Sequence, residues 1–240
     1  MKTSSLSLLF ASILSIALFT SCLTGIGGLD GNGQVTTLER KVSSFDAIKA
    51  GGAFEIILTR DSSESLLIEA DENLMDLIRT EVRGSTLVIE TGGRIGNFEC
   101  LKVHVGYRNL RSLSFSGGVQ VTGENVLSAE RLKIEGNGAA DIELEIQSAE
   151  LDVELSGAGN LELQGQAGEA DIEISGAGKL YAEDLETASM DIEVSGAGNA
   201  RVFVREELRA RVSGAGTIKY KGNPAKVKQD VSGAGSINTL

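Results

Sequence analysis

The sequence predicts an all-β chain: a parallel right-handed β-helix, a solenoid of about 19 residues per coil, with an irregular N-terminal cap containing one short helix. Three observations carry this. The tetrapeptide Ser-Gly-Ala-Gly occurs at residues 156–159, 175–178, 195–198, 213–216 and 232–235, and successive copies start 19, 20, 18 and 19 residues apart. A fixed period of that length marks stacked structural repeats. Apolar residues alternate on both sides of each copy, as in Leu151, Val153, Leu155 and then Leu161, Leu163, and period two is the mark of strands with one inward face. Glycine supplies 30 of 240 residues against a single proline, with 41% apolar residues, so the glycines serve a packed fold rather than a Pro-rich disordered tract.

Residues 1–21 read as an export signal. Lys2 gives a positive start, residues 6–19 are apolar-rich, and small residues precede Cys22 in "LFTSC". The apolar stretch is too short to cross a bilayer. This segment resembles a bacterial lipoprotein signal, in which the cysteine becomes the lipidated first residue of the mature chain. Cys22 is therefore the expected lipidation site, and the membrane is the expected partner through that lipid. Lipid on Cys22 would leave Cys100 without a disulfide partner, as a small buried apolar residue. Residues 22–44, which include "LTGIGGLDGNGQ", have no apolar periodicity at their start and read as a Gly-rich tether.

Residues 45–240 form one domain. Over 45–110 the sequence gives a strand, a short helix at about 71–79 and another strand, without the 19-residue punctuation. This portion is expected to cover the open end of the stack, since a bare terminal coil exposes apolar side chains and unpaired strand edges. Over 111–240 the coils are regular, and degenerate turns extend the series backwards through "EGNG" at Glu135 and "SGGV" at Ser116. The inward columns continue through Ala170, Ile172, Ile174, Leu180 and Ala182; Met190, Ile192, Val194, Ala200, Val202 and Val204; and Leu208, Ala210, Val212, Ile218 and Tyr220. In the turn itself Gly157 and Gly159 are expected at positive φ, Ala158 permits tight stacking, and the Ser156 hydroxyl bonds to the turn backbone.

Composition excludes several functions. A net charge of −12 disfavours a surface for phosphate backbones, so no nucleic-acid partner is expected. With 4% aromatic residues and no Trp, stacking platforms for bases are mostly missing. His104 is the single histidine, which removes a His-based zinc cluster and reads as a structural or surface residue. "SGAGKL" imitates the end of a phosphate-binding loop but has Glu173 where the first glycine belongs and Leu180 in place of Ser or Thr.

Charge patterning singles out one face. At the outward positions four and two residues before each turn, the coils read Arg131/Lys133, Asp152/Glu154, Asp171/Glu173, Asp191/Glu193, Arg209/Arg211 and Lys228/Asp230. Three acidic pairs thus stack between basic ones. Asp152, Glu154, Asp171, Glu173, Asp191 and Glu193 are the candidate patch for a cation such as Ca²⁺ or for a basic partner, set against the plain alternative of a solvated face. No EF-hand or glycine-aspartate nonapeptide motif accompanies them.

The repeated "SGAG", the final "SGAGSI" and the upstream "ADENLMDLIRTEVRGSTLVI" resemble the putative auto-transporter adhesin, head GIN domain family, common in lipoproteins of the Bacteroidetes. The resemblance spans roughly 45–240 and implies a β-helix-like fold on an exported protein. It implies no catalytic motif. Surface lipoproteins of that group often carry acidic residues after the lipidated cysteine, whereas Leu23, Thr24, Gly25 and Ile26 follow Cys22, which favours the periplasmic face of the outer membrane over the cell surface. The expected function is a non-enzymatic binding, adhesion or structural module of the cell envelope, contacting envelope protein or polysaccharide and needing no cofactor. The alternative is a carbohydrate-active enzyme of polysaccharide lyase or glycoside hydrolase type using surface carboxylates.

Overall fold

A computed structural model gives the fold over residues 27–240; residues 1–21, read above as an export signal, and Cys22, the expected lipidation site, lie outside the described residues. The chain is 71% strand and 3% helix, wound as a β-solenoid of about 7 turns with about 19 residues between stacked bridges. In chain order the elements are β1 (Val35–Glu39), β2 (Ala47–Gly52), β3 (Glu55–Arg60), β4 (Ser65–Asp71), a 3₁₀ helix (Glu72–Leu77), β5 (Ile78–Arg83), β6 (Thr86–Thr91) and β7 (Leu101–Tyr107). Then come β8 (Ser112–Gly117), β9 (Gln120–Gly123), β10 (Leu127–Gly138), β11 (Asp141–Gly157), β12 (Asn160–Gly176), β13 (Lys179–Gly196), β14 (Asn199–Gly214), β15 (Thr217–Lys221), β16 (Lys226–Gly233) and β17 (Ser236–Thr239).

From β8 onward every ladder is parallel and each strand lies on its equivalent one coil away. All the inward residues expected from the alternation are buried, from Leu151 at 2% exposure to Tyr220 at 9%. In the coil of β12 the large inward side chains are Leu161, Leu163, Ile172 and Ile174, each contributing about 1.5–3 kcal/mol on burial. The alternation breaks around Gly165 and at Gly168, where consecutive residues leave the core, and Gly165 has φ 107°, in the positive range that the first glycine of each Ser-Gly-Ala-Gly also occupies. Thr187, in the bulged pairing of β13 with β14, is fully buried and donates its hydroxyl hydrogen to the Phe203 carbonyl at 2.7 Å.

The turn is a column of stacked glycines. Gly157, Gly176, Gly196, Gly214 and Gly233 have φ between 103° and 118°, and the following alanine N–H bonds to the glycine carbonyl one coil below at 2.8 Å. The second glycine differs from expectation: Gly159 and its equivalents are not at positive φ. Close approach requires most of them instead, since a Cβ at Gly216 would lie 2.6 Å from Val194 Cγ1 and 2.8 Å from the Gly198 carbonyl oxygen. The serine also acts between coils rather than within its own turn: Ser156 Oγ bonds Asn137 Oδ1 at 2.7 Å, and Ser175 Oγ reaches the Leu155 carbonyl only at 3.5 Å.

Two turns sit elsewhere than expected. The coil before Ser156 turns at Asn137 and Gly138, which pair with Ser156 and Gly157, so "EGNG" at Glu135 is two residues out of register. Gly136 thereby takes the inward slot opposite Phe115 and Leu155, where Leu155 Cδ2 would lie 2.9 Å from a Cβ. An earlier copy of the turn lies within the N-terminal portion: Gly51 and Gly52 pair with Ser116 and Gly117, and Gly52 has φ 135°. An insertion separates them in sequence. β6 and β7 pair in parallel with β2 and β3, and beyond them β5 and β4 run antiparallel, with β1 antiparallel on β4. Antiparallel pairing closes this end of the stack, and the helix expected at 71–79 is the 3₁₀ helix over Glu72–Leu77 that joins β4 to β5.

Candidate functional site

The acidic residues form a ladder in register. Asp152, Asp171 and Asp191 are successive backbone partners, as are Glu154, Glu173 and Glu193. Parallel strands lie about 4.8 Å apart, so like charges are stacked at that spacing, where Coulomb repulsion is about 1 kcal/mol per neighbour in water. Cations bracket the ladder. At one end Lys133 Nζ reaches Glu154 at 2.7 Å and Glu135 at 3.0 Å, and those hydrogen bonds hold the ammonium above its usual range. At the other, Arg211 Nη1 lies 3.1 Å from Asp191 and 3.9 Å from Glu193.

The two-residue correction at Asn137 changes which cation meets which acid. Lys133, not Arg131, stands in the column of Asp152; Arg131 stands beside Glu150 and pairs with it, and Glu135 heads the column of Glu154. The far end is as expected, with Asp191 and Glu193 beside Arg209 and Arg211, and these beside Lys228 and Asp230. Among the described residues Asp152, Asp171 and Glu173 have no ion-pair partner within 4.0 Å.

Asp171 is the perturbed member. Partial burial raises its carboxyl above the usual aspartate range, and the charges of Asp191 and Asp152 raise it further against the pull of Arg211. It lines an open groove of about 560 Å³ between the aspartate column and the adjoining column of Glu150 and Glu169, with Arg131 and Arg209 at its ends. Among the described residues no three carboxylate, Cys or His side chains converge in an arrangement that could hold a metal ion.

His104 lies on β7 beside β4, with Nε2 3.8 Å from Glu69 Oε2, and joins no other candidate. Cys100 is half-buried rather than fully buried; its Sγ is 3.4 Å from the Glu69 carbonyl, and desolvation raises its thiol.

Two arrangements escaped sequence reasoning. Asp71, at the end of β4, is fully buried and accepts three backbone hydrogen bonds: Gly33 N–H to Oδ1 at 2.6 Å, and Glu99 and Cys100 N–H to Oδ2 at 2.9 and 3.1 Å. These donors, Cys100 foremost, hold the carboxyl below its usual range. Asp71 fastens the segment before β1 and the loop before β7 to the cap. The face after the turn also changes sign along the stack. Glu143 and Glu162 give way to Tyr181, Arg201 and Lys219 in one outward column, with the Arg201 guanidinium 5.9 Å from the Tyr181 ring centre. Asp71 had no repeating local signature, whereas this column stands six residues after the first residue of each turn, so the same repeat carried the signal for it.

Comparison with known proteins places this geometry. A solved structure from Bacteroides fragilis described as a putative adhesin matches at TM-score 0.85 and 28% identity, covering 89% of this chain and 100% of the other. A putative adhesin from Parabacteroides distasonis matches at TM-score 0.75 and 24% identity, over 88% and 99% of the two chains. A structure from the same species described as a putative lipid binding protein matches at TM-score 0.72 and 24% identity over the same shares. A comparison with curated proteins finds no match. The description "putative auto-transporter adhesin, head GIN domain" fits residues 44–224, from just before β2 to just after β15, and so takes in the cap from β2 onward, the glycine turns as far as Gly216 and the acidic ladder. The chain belongs to the putative auto-transporter adhesin, head GIN domain family.

Proposed function

We propose that the protein is a non-enzymatic binding module of the bacterial cell envelope, tethered to the outer membrane by lipid on Cys22, on the periplasmic face. The observation that carries the binding role is the surface itself. Outward side chains stand in continuous in-register columns, and the acidic column from Asp152 to Asp191 extends across three coils. A repeated row of like charges suits an extended basic partner, which gains one contact per coil, better than a compact substrate. The descriptions of the similar structures as adhesins and as a lipid-binding protein support binding as the role. In this reading Asp152, Glu154, Asp171, Glu173, Asp191 and Glu193 are the contact face for a basic partner.

The test is capture of envelope proteins and polysaccharides by the wild type and by Asp171→Asn with Glu173→Gln, at low and high salt. Binding that is lost in the variant and weakened by salt supports the reading; equal capture by both proteins refutes the acidic face as the contact.

One observation favours a second reading, a carbohydrate-active enzyme. Asp171 combines a raised carboxyl with a groove that Asp152, Asp191, Glu150 and Glu169 also line, and two carboxyl groups flanking one bond are what glycoside hydrolysis needs. Release of reducing ends or unsaturated products from a polysaccharide panel, abolished by Asp171→Asn, would establish it.

A further inference from the structure

The two ends of the solenoid are finished differently. At the N-terminal end β4 and β5 cover the stack with antiparallel pairs. At the other end β16 lies on β14, among the described residues it has no partner on its far side, and every one of its residues is exposed. Val227, Gln229 and Val231 occupy the inward column of Leu208, Ala210 and Val212. Their predecessors are at most 2% exposed, whereas Val227 and Val231 are 42% and 44% exposed, because no further coil of the described residues lies over them. Gln229 reaches Tyr220 Oη from that open core at 3.4 Å. An apolar strand edge of this kind is a template for another strand.

The sequence of β16 says which strand fits. In antiparallel pairing, directly opposed residues share a face and their numbers have a constant sum. Centred on Gln229, Val227 faces Val231 inside, Lys228 faces Asp230 outside, and Gln229 faces its own copy. Shifting the centre by one residue either way opposes a valine to Gln229 and a charged residue to its own copy, Lys228 or Asp230, so the apolar match is lost in both. One register of β16 against itself is therefore complementary in both apolar and charged positions, and neither neighbouring register keeps the apolar pairing. We propose that two copies of this chain join end to end through β16, antiparallel about a two-fold axis at Gln229, each closing the open core of the other. A symmetric contact needs one self-complementary patch, and β16 supplies it. The pairing also repeats at this end the antiparallel closure that the cap makes at the other.

Sedimentation equilibrium of the full chain in density-matched detergent tests this, with Lys228→Asp, Asp230→Lys and the double variant. Both single changes lie at exposed outward positions, and melting curves verify that folding is intact. Each converts two attractive cross-strand pairs into two repulsive ones, so the dimer constant should weaken by roughly tenfold or more. The double variant restores opposite charges and should dimerise as the wild type does. An equal mixture of the two single variants should form the mixed dimer, because each then supplies the charge that the other lacks. Gln229→Cys should give an oxidised dimer on a non-reducing gel that Lys219→Cys, on the lateral face, does not. A wild type that stays monomeric at ~100 µM, too weak an association to matter, overturns the proposal. So does a dimer indifferent to the single charge changes.

Discussion

Replacing Gly176 and Gly178 separately by alanine tests the account of the turn most directly, because the two glycines share one tetrapeptide and differ in why they are there. Gly176 has φ 109°, and a Cβ on it would lie 2.6 Å from the Gly157 carbonyl oxygen and 3.2 Å from its nitrogen. That oxygen accepts the Ala177 N–H at 2.8 Å, so relief of the clash must open the hydrogen bond that holds one turn on the next. Backbone strain of about 1–3 kcal/mol and a weakened hydrogen bond worth about 1 kcal/mol add to roughly 2–4 kcal/mol. Gly178 has no positive φ, and its Cβ would meet the Gly159 carbonyl oxygen at 3.4 Å and Ile174 Cγ2 at 3.6 Å, ordinary contacts. Alanine there should change stability by less than about 1 kcal/mol. For a chain of this size the first change should lower the melting temperature by roughly 4–16 °C and the second by no more than about 4 °C. Thermal melts followed by circular dichroism measure both. Equal losses at the two positions would refute the division of labour between φ and space.

Cys22→Ala should shift the protein from the membrane fraction to the soluble one or block its maturation, as read by fractionation and N-terminal sequencing; a wild type recovered soluble, with its N-terminus elsewhere, refutes the anchor. The folded state raises the carboxyl of Asp171, so ionised Asp171 opposes folding at neutral pH, and that penalty fades as pH falls through its folded value towards the unfolded one near ~3.9. Asp171→Asn should therefore raise the denaturation midpoint at pH near ~7 and lose that advantage near ~4, which urea titrations at the two values would show. Because no three carboxylates of the described ladder converge, Ca²⁺ should raise the wild-type melting temperature no more than sodium at matched ionic strength, and a Ca²⁺-specific rise that Asp171→Asn with Glu173→Gln erases would refute this. Asp71 has the opposite sign: its lowered carboxyl stabilises the fold above the unfolded value near ~3.9, and that support disappears as pH falls through the folded value. Asp71→Asn turns an amide donor towards backbone donors, and should speed proteolysis of residues 31–34 and 97–100.

What the sequence determined by itself is local and repeated. Alternation at period two assigns Ile172, Ile174 and their equivalents to the core, because side chains on a strand point to opposite faces whatever lies alongside. Five copies of one turn fix the coil length and put Asp152, Asp171 and Asp191 in one column before any contact is known. The tertiary structure decided what local pattern leaves degenerate. A slip of two residues keeps every side chain on its own face, so alternation could not choose between Glu135 and Asn137 as the start of a turn. The stacking of Gly138 under Gly157 made the choice, and moved Lys133 into the aspartate column. The turn at Gly51 and Gly52 was hidden because residues 61–110 are inserted between it and Ser116, while its pairing is made in space. Asp71 is one carboxylate among 34 acidic residues in sequence. Only the fold brings three backbone N–H groups, from residues 28 to 38 positions away, around it, since a buried charge persists only where distant donors converge on it.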